Sequence, residues 1–211
     1  MNVLVIGANG NIGKLTCAIL AEQGHSVKAM VRKEEQQEHF QHENVEAVLG
    51  DLEKDFQHAF KGIEAVIFTA GSGGHTGPEQ TEAVDYEGAV KSIKLSEKNE
   101  IEQFIMVSSL GADTPEKGPE SLQHYLEVKG KADKILMDSS LNYTILRPGA
   151  LTDEDGMGMI MAKRKLNERG SIPRTDVART IAACLGNEKV YHEVFELIEG
   201  EIPIKSALED L

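Results

Sequence analysis

The chain is poor in cysteine, has no surplus of positive charge, and lacks any long apolar run or internal repeat. Its two cysteines, Cys17 and Cys184, fall in segments of helical character and read as small buried apolar residues of a reducing compartment. Lys and Arg total 22 against 35 Asp and Glu, a net charge of -13. A surface that acidic repels phosphate backbones and anionic lipid, so neither a nucleic acid nor a membrane is expected as a partner. No apolar stretch approaches the roughly 20 residues of a membrane span. The first residues enter a strand directly, without the basic, apolar and small-residue order of a signal peptide, so a cytoplasmic location is expected. The seven histidines show no ligand spacing, and no metal is expected. What remains is 211 residues, 40% hydrophobic and 27% charged, the balance of an ordinary globular protein and a length suited to one domain.

Apolar runs of strand length alternate with amphipathic stretches of helical length. Strands are predicted over Val3–Ile6, Ser26–Val31, Val45–Leu49, Ala65–Thr69, Phe104–Val107, Tyr143–Leu146 and Val194–Ile198. Helices are predicted over Asn11–Gln23, Glu34–Phe40, Lys54–Phe60, Glu79–Asn99, Ser121–Ser139, Asp176–Leu185 and Ile204–Leu211. The alternation predicts an α/β fold, a doubly wound parallel sheet with helices on both faces and ligands at the carboxyl ends of its strands.

Gly7-Ala8-Asn9-Gly10-Asn11-Ile12-Gly13 joins the first strand to the first helix. Gly7 permits a sharp turn, Gly10 lets a pyrophosphate approach the backbone, and Gly13 lets the helix pack on the sheet. The helix start, with Asn9, Asn11 and Ile12 around it, then offers free N–H groups to phosphate. Arg32 ends the second strand, where a carboxylate would select NAD; a guanidinium there, with Lys33 beside it, favours NADP over NAD through a charge-assisted contact to the 2′-phosphate. Asp51, in Gly50-Asp51-Leu52, can accept from an adenine amino group or cap the helix that follows.

The order of these motifs, with Ala70-Gly71, Val84-Asp85-Tyr86-Glu87-Gly88, Val107-Ser108-Ser109, Tyr125-x-x-x-Lys129 and Arg147-Pro148-Gly149, resembles the atypical and extended branches of the short-chain dehydrogenase/reductase superfamily over nearly the whole chain. The likeness is to NmrA-like and NAD(P)-dependent epimerase/dehydratase members. It implies a Rossmann-type domain with a nicotinamide cofactor held by the glycine turn, Arg32, Lys33, Asp51, Leu52, Ala70, Gly71, Ser108, Lys129, Pro148 and Gly149. It further implies Tyr125 as proton carrier, Lys129 as ribose ligand and activator, and Ser109 as hydrogen-bond partner of the substrate oxygen. An i, i+4 pair puts Tyr125 and Lys129 on one helix face, and a nearby ammonium favours a phenolate. Asp85 stands where the family's relay Asn stands; a carboxylate cannot donate when ionised, so Asp85 alters the relay or is structural. Because Pro148 lacks an N–H, the backbone donor to a carboxamide is expected at Gly149 or later. Arg147 is otherwise a structural ion-pair partner.

About sixty residues follow Pro148, too few for a separate substrate domain. Loops at about 72–84, 111–124 and 150–174 are left to build the substrate walls. Met157, Met159 and Met161 alternate as one face of a strand, either packing in the core or forming an adaptable surface for a substrate or isoalloxazine. His75 and His124 are candidate acid/base groups by position, or solvated loop histidines. Two classes of function follow: an NADP-dependent oxidoreductase or epimerase/dehydratase acting on a small carbonyl or hydroxyl compound, or a non-catalytic NADP-binding redox sensor or assembly module. A monomer or homodimer suits either.

Overall fold

The computed structural model describes residues 1–72 and 77–211. Its strands and helices follow in chain order. β1 (Asn2–Ile6), α1 (Asn11–Glu22), β2 (Ser26–Val31), β3 (Val45–Leu49) and β4 (Ala65–Phe68) come first. Short 3-10 turns lie at Glu34–His39 and Gln57–Phe60, where short helices are predicted. α2 (Pro78–Thr81), a π-helical segment (Glu82–Gly88) and α3 (Ala89–Lys98) then run on as one continuous helix. β5 (Gln103–Val107), α4 (Glu120–Met137), β6 (Tyr143–Pro148), β7 (Ala150–Thr152), β8 (Met159–Lys163), β9 (Ser171–Pro173), α5 (Arg174–Cys184), β10 (Glu193–Glu199), β11 (Ile202–Pro203) and α6 (Ile204–Glu209) complete the chain.

Among the described residues, nine strands form one sheet in the order β11-β8-β10-β6-β5-β4-β1-β2-β3. From β3 to β10 every pairing is parallel. This is the doubly wound Rossmann arrangement, and its order reverses between β1 and β4, where a crevice opens at the strand ends. The parallel expectation fails at one edge. β8 runs antiparallel to β10 and to β11, and β7 pairs with β9 in a separate parallel ribbon.

Alternation along each strand sends side chains to two cores. Val3 and Val5 face α1 and α5 with Ala29, Ile67, Ile105, Ile181 and Phe195. Leu4 and Ile6 face α3 and α4 with Phe56, Phe68, Phe104, Ile93 and Leu136. Both layers are buried, which is why these strands read as unbroken apolar runs. The three Met residues are not one strand face: Met159 and Met161 lie in β8, while Met157 precedes it and is 80% exposed. No helix among the described residues is long and apolar enough to cross a membrane.

Candidate active site

Gly7 takes φ +84°, a backbone that L side chains rarely adopt, and a Cβ there would lie 2.5 Å from Ala70 N. A Cβ on Gly13 would strike the Gly7 carbonyl oxygen and Ala8. These two glycines let α1 and β4 close on the turn. A Cβ on Gly10 meets only Gly7 O, at 3.3 Å, and Gly10 caps α1 with no side-chain hydrogen bond. No acidic residue occupies the first turn of α1. The helix start is therefore open to an anion and favours one through its dipole.

A cavity of about 500 Å³ spreads from this turn. Gly7, Asn9, Gly10, Arg32, Asp51, Leu52, Ala70 and Gly71 line it, as do Gln36 and Ser72. Asn11, Ile12, Gly13 and Lys33 do not. Arg32 is exposed and has no carboxylate partner among the described residues, whereas Lys33 pairs with Glu35 at 3.6 Å. Asp51 lines the cavity, and its Oδ1 accepts from Glu53 N at 3.1 Å, which braces the turn after β3 and not a helix start. Two residues not singled out from sequence shape the wall. Gln36 Oε1 accepts from the amides of Arg32 (3.0 Å) and Lys33 (3.1 Å), fixing the turn that carries the guanidinium. His39 Nδ1–H donates to Asn9 Oδ1 at 2.8 Å. Neither residue stands in a local pattern that would flag it.

A second cavity, of about 580 Å³, holds Ser109, Tyr125, Pro148 and Gly149. Leu110, Leu122, Leu126 and Leu166 give it apolar walls, and Lys165 and Glu196 border it. Glu196 is 1% exposed; it accepts from Leu166 N at 2.6 Å and Lys165 Nζ at 2.8 Å, holding the segment after β8 as a wall. Met157, Met159 and Met161 do not line this cavity, so the reading of them as a substrate surface is withdrawn. His124 sits 3.9 Å from Glu82 Oε1 outside it, and His75 lies outside the described residues.

Beneath Tyr125 lies a buried charge cluster. Lys129 Nζ donates to Val107 O at 2.8 Å and stands 3.5 Å from Asp85 Oδ1. Both side chains are sealed from solvent, Asp85 fully and Lys129 at 2% exposure. Asp85 Oδ2 accepts from Ser72 N at 2.8 Å, so this carboxylate anchors the loop after β4 that walls the first cavity. Burial alone would lower the Lys129 pKa; Tyr125, Asp85 and Asp133 outweigh it, and the ammonium is held above its ordinary value. Burial pushes the Tyr125 phenol up, opposed by Lys129 and assisted by Asp85 and Asp133. Asp133 Oδ2 binds Arg147 Nε and Nη2, each at 2.9 Å, and Arg147 Nη1 lies 3.8 Å from Asp113 Oδ1. Asp133 follows Lys129 by four residues on α4, a spacing that the sequence displays. Ser108 is buried beside this cluster, and its Oγ makes no hydrogen bond of good geometry among the described residues.

Of the backbone amides from Gly149 onward that are expected to face a carboxamide, the first two are already engaged. The Gly149 N–H donates to Leu197 O at 2.9 Å and the Ala150 N–H to Gly170 O at 2.9 Å. Sheet pairing with β10 and the neighbouring ribbon consumes both donors, so Gly149 can touch a ligand but offers it no amide.

Fold and turn together define a Rossmann-type dinucleotide-binding protein. The chain matches the NAD(P)H-binding family model over residues 7–188 and belongs to that family, within the atypical short-chain dehydrogenase/reductase superfamily. It is 46% identical to a Bacillus subtilis protein named as the uncharacterized sugar epimerase YhfK, with 100% of both chains covered. A solved Bacillus halodurans structure, provisionally named an NAD-dependent epimerase/dehydratase, is 42% identical, with 100% of both chains covered and a TM-score of 0.95. The Lactococcus lactis oxidoreductase ylbE is 32% identical, with 100% of this chain and 96% of that one covered and a TM-score of 0.90.

Proposed function

We propose that this protein is an NADP-dependent oxidoreductase or epimerase that acts on a small carbonyl or hydroxyl compound, with Tyr125 and Ser109 at the substrate oxygen. The observation that carries the reading is the shared cavity of Ser109 and Tyr125 at the carboxyl edge of the sheet, beside the ends of the paired strands β5 and β6. Relatives carry the names sugar epimerase and oxidoreductase, the two reaction classes kept here.

The first cavity would hold the dinucleotide. The uncapped start of α1 faces the diphosphate, and the unpaired Arg32 selects the 2′-phosphate by a charge-assisted contact. When bound, the nicotinamide supplies or takes up a hydride. Ser109 orients the substrate oxygen by a hydrogen bond, and Tyr125 exchanges a proton with it. The leucines of the second cavity exclude water from the reacting groups.

The test is turnover of NADPH or NADP⁺ against a panel of small aldehydes, ketones and alcohols, with Tyr125→Phe beside the native protein. The expected result is a loss of about 100-fold or more in turnover, the scale of general acid–base catalysis, with cofactor affinity kept. Equal turnover by the two proteins removes Tyr125 as the proton carrier. Absence of turnover with every compound, combined with cofactor binding, favours a non-catalytic sensor.

A further inference from the structure

We infer that the substrate carries an acidic group, a carboxylate or a phosphate, and that Arg169 and Lys117 bind it at the second cavity. The inference rests on the proposed function and adds the class of compound that the site takes.

The chain has a net charge of -13, yet cations outnumber carboxylates on the lining of this cavity. Lys117, Lys165 and Arg169 line it, against Glu168 and Glu196. Two of these charges serve the wall itself: Lys165 Nζ lies 2.8 Å from Glu196 Oε1 and 2.8 Å from Asp113 Oδ2. Lys117 and Arg169 remain, with the exposed Glu168 as the one carboxylate not engaged in that wall. Neither cation has a carboxylate within ion-pair distance among the described residues. Glu116 and Glu120, close to Lys117 in sequence, do not line the cavity.

The fold brings the two cations together across a long stretch of chain. Lys117 ends the 3-10 turn Pro115–Lys117, between β5 and α4. Arg169 stands 52 residues later, in the connection between β8 and β9. Its Nη2 donates to Lys117 O at 3.0 Å, so the guanidinium spans the gap between two segments that both border the cavity. That bond uses one N–H of a fork that carries several, and the rest have no protein acceptor among the described residues. Such a fork matches the paired oxygens of a carboxylate or phosphate, and a lysine beside it adds a point charge.

Ser109 and Tyr125 line the same cavity, whose leucines offer a substrate no polar contact. A compound with a carbonyl or hydroxyl at one end and an acid at the other would engage both polar regions. The acid then decides which end meets Tyr125, the orienting task that a few placed polar groups perform in an apolar pocket. A local positive rim also lets an anion approach a protein whose overall charge repels it. Arg32 serves the coenzyme in the first cavity, so each anionic partner has its own cation.

The experiment is calorimetry on protein saturated with NADP⁺, which fills the first cavity and removes its anion site from the comparison. Straight-chain oxo acids are titrated, each beside its own carboxamide, and glycolaldehyde phosphate beside glycolaldehyde. The members of each pair share a carbonyl and differ in charge. At least one charged compound is expected to bind about 10-fold or more tightly than its neutral twin, the worth of hydrogen bonds to a charged group. The pair with the larger gain names the acidic group. Replacing both cations, Arg169→Gln with Lys117→Gln, is expected to erase the preference; both positions are exposed, so the variant is expected to fold. Lys163→Gln, an exposed cation of β8 outside the cavity, is expected to keep the preference, which separates a contact from a change in net charge. The inference is overturned if no charged compound outbinds its twin, whether both bind or neither does. It is overturned equally if the double variant keeps the native preference. The titration reads binding without turnover, and Tyr125→Phe is expected to keep the preference, so lost turnover in that variant bears on the proton carrier alone. If the protein takes up no coenzyme, the same pairs are titrated against the unloaded protein, with Arg32→Ala excluding the first cavity.

Discussion

The position a Cβ would take on Gly13 collides with the carbonyl oxygen of Gly7, whereas on Gly10 it lies 3.3 Å from that same oxygen, a tight contact that a shift of a few tenths of an ångström relieves. The two glycines therefore answer different demands. Gly13→Ala forces backbone apart and is expected to cost about 1–3 kcal/mol, the range for overpacking a closed site. Gly10→Ala is expected to fold with near-native stability and to lose NADP affinity, because the methyl group occupies the approach of the diphosphate. Thermal denaturation and calorimetry on the two variants separate these outcomes. A Gly10→Ala protein that binds as tightly as native would show that the diphosphate lies elsewhere.

Arg32 and Lys33 are adjacent cations with different surroundings. Arg32 lines the first cavity without a carboxylate partner, and Lys33 is paired with Glu35. Arg32→Ala should weaken NADPH binding by about 10-fold to 100-fold, the worth of a charge-assisted hydrogen bond, and NADH binding far less. Lys33→Ala should change neither by more than about twofold, because an exposed pair of this kind contributes little. Fluorescence titration with both coenzymes reads the ratio. Equal weakening of NADPH and NADH in Arg32→Ala would remove it as the phosphate selector.

Glu196 is a buried carboxylate in the middle of β10 whose oxygens hold the wall after β8. Glu196→Ala is expected to cost on the order of 1–3 kcal/mol, since a buried amide is left without its acceptor. Hydrogen exchange should speed up at Leu166 more than in β1 or β5. Uniform acceleration across the sheet would assign Glu196 to general stability instead of to this wall.

Asp113 gives a pH dependence with a definite sign. Burial raises its pKa, but the Lys165 hydrogen bond and the Arg147 and Lys165 charges outweigh it and hold the carboxyl below 3.8. A depressed folded value means that the unfolded chain binds the proton first. The stabilisation is full above about pH 4 and is lost as pH falls through the folded value. The difference in urea midpoint between native protein and Asp113→Asn should therefore shrink on acidification below about pH 4. A gap that widens there would reverse the assignment.

The central sheet was readable because its physics is local. β1, β4 and β5 show as buried apolar runs, and β2 and the half-buried β3 are bounded by Gly24 and Gly50. The glycine turn was readable because backbone geometry forces residue type at Gly7 and Gly13. The edge was not. β7, β9 and β11 have two or three residues each, too few to display a period, and β8 is fixed by partners in β10 and β11. The fate of the Gly149 amide depends on Leu197, almost fifty residues away, and no motif records it. Spacing placed Tyr125 and Lys129 on one helix face but not at different depths, where one side chain lines a cavity and the other is sealed under it. His39 and Glu196 act through long-range contacts, and Gln36 through two local bonds to backbone amides, none of which composition or order records.

The widened turn at residues 82–88 makes the chain more sensitive to length than to spelling. Removing one residue there would let the segment wind as an ordinary α-helix, with both flanks kept in register and the residues inside the turn re-aimed. Asp85 would then face a different neighbour while α3 kept its seat against the sheet. A three-nucleotide deletion in that stretch should thus take Asp85 away from Ser72 N and Lys129 while the sheet stays intact.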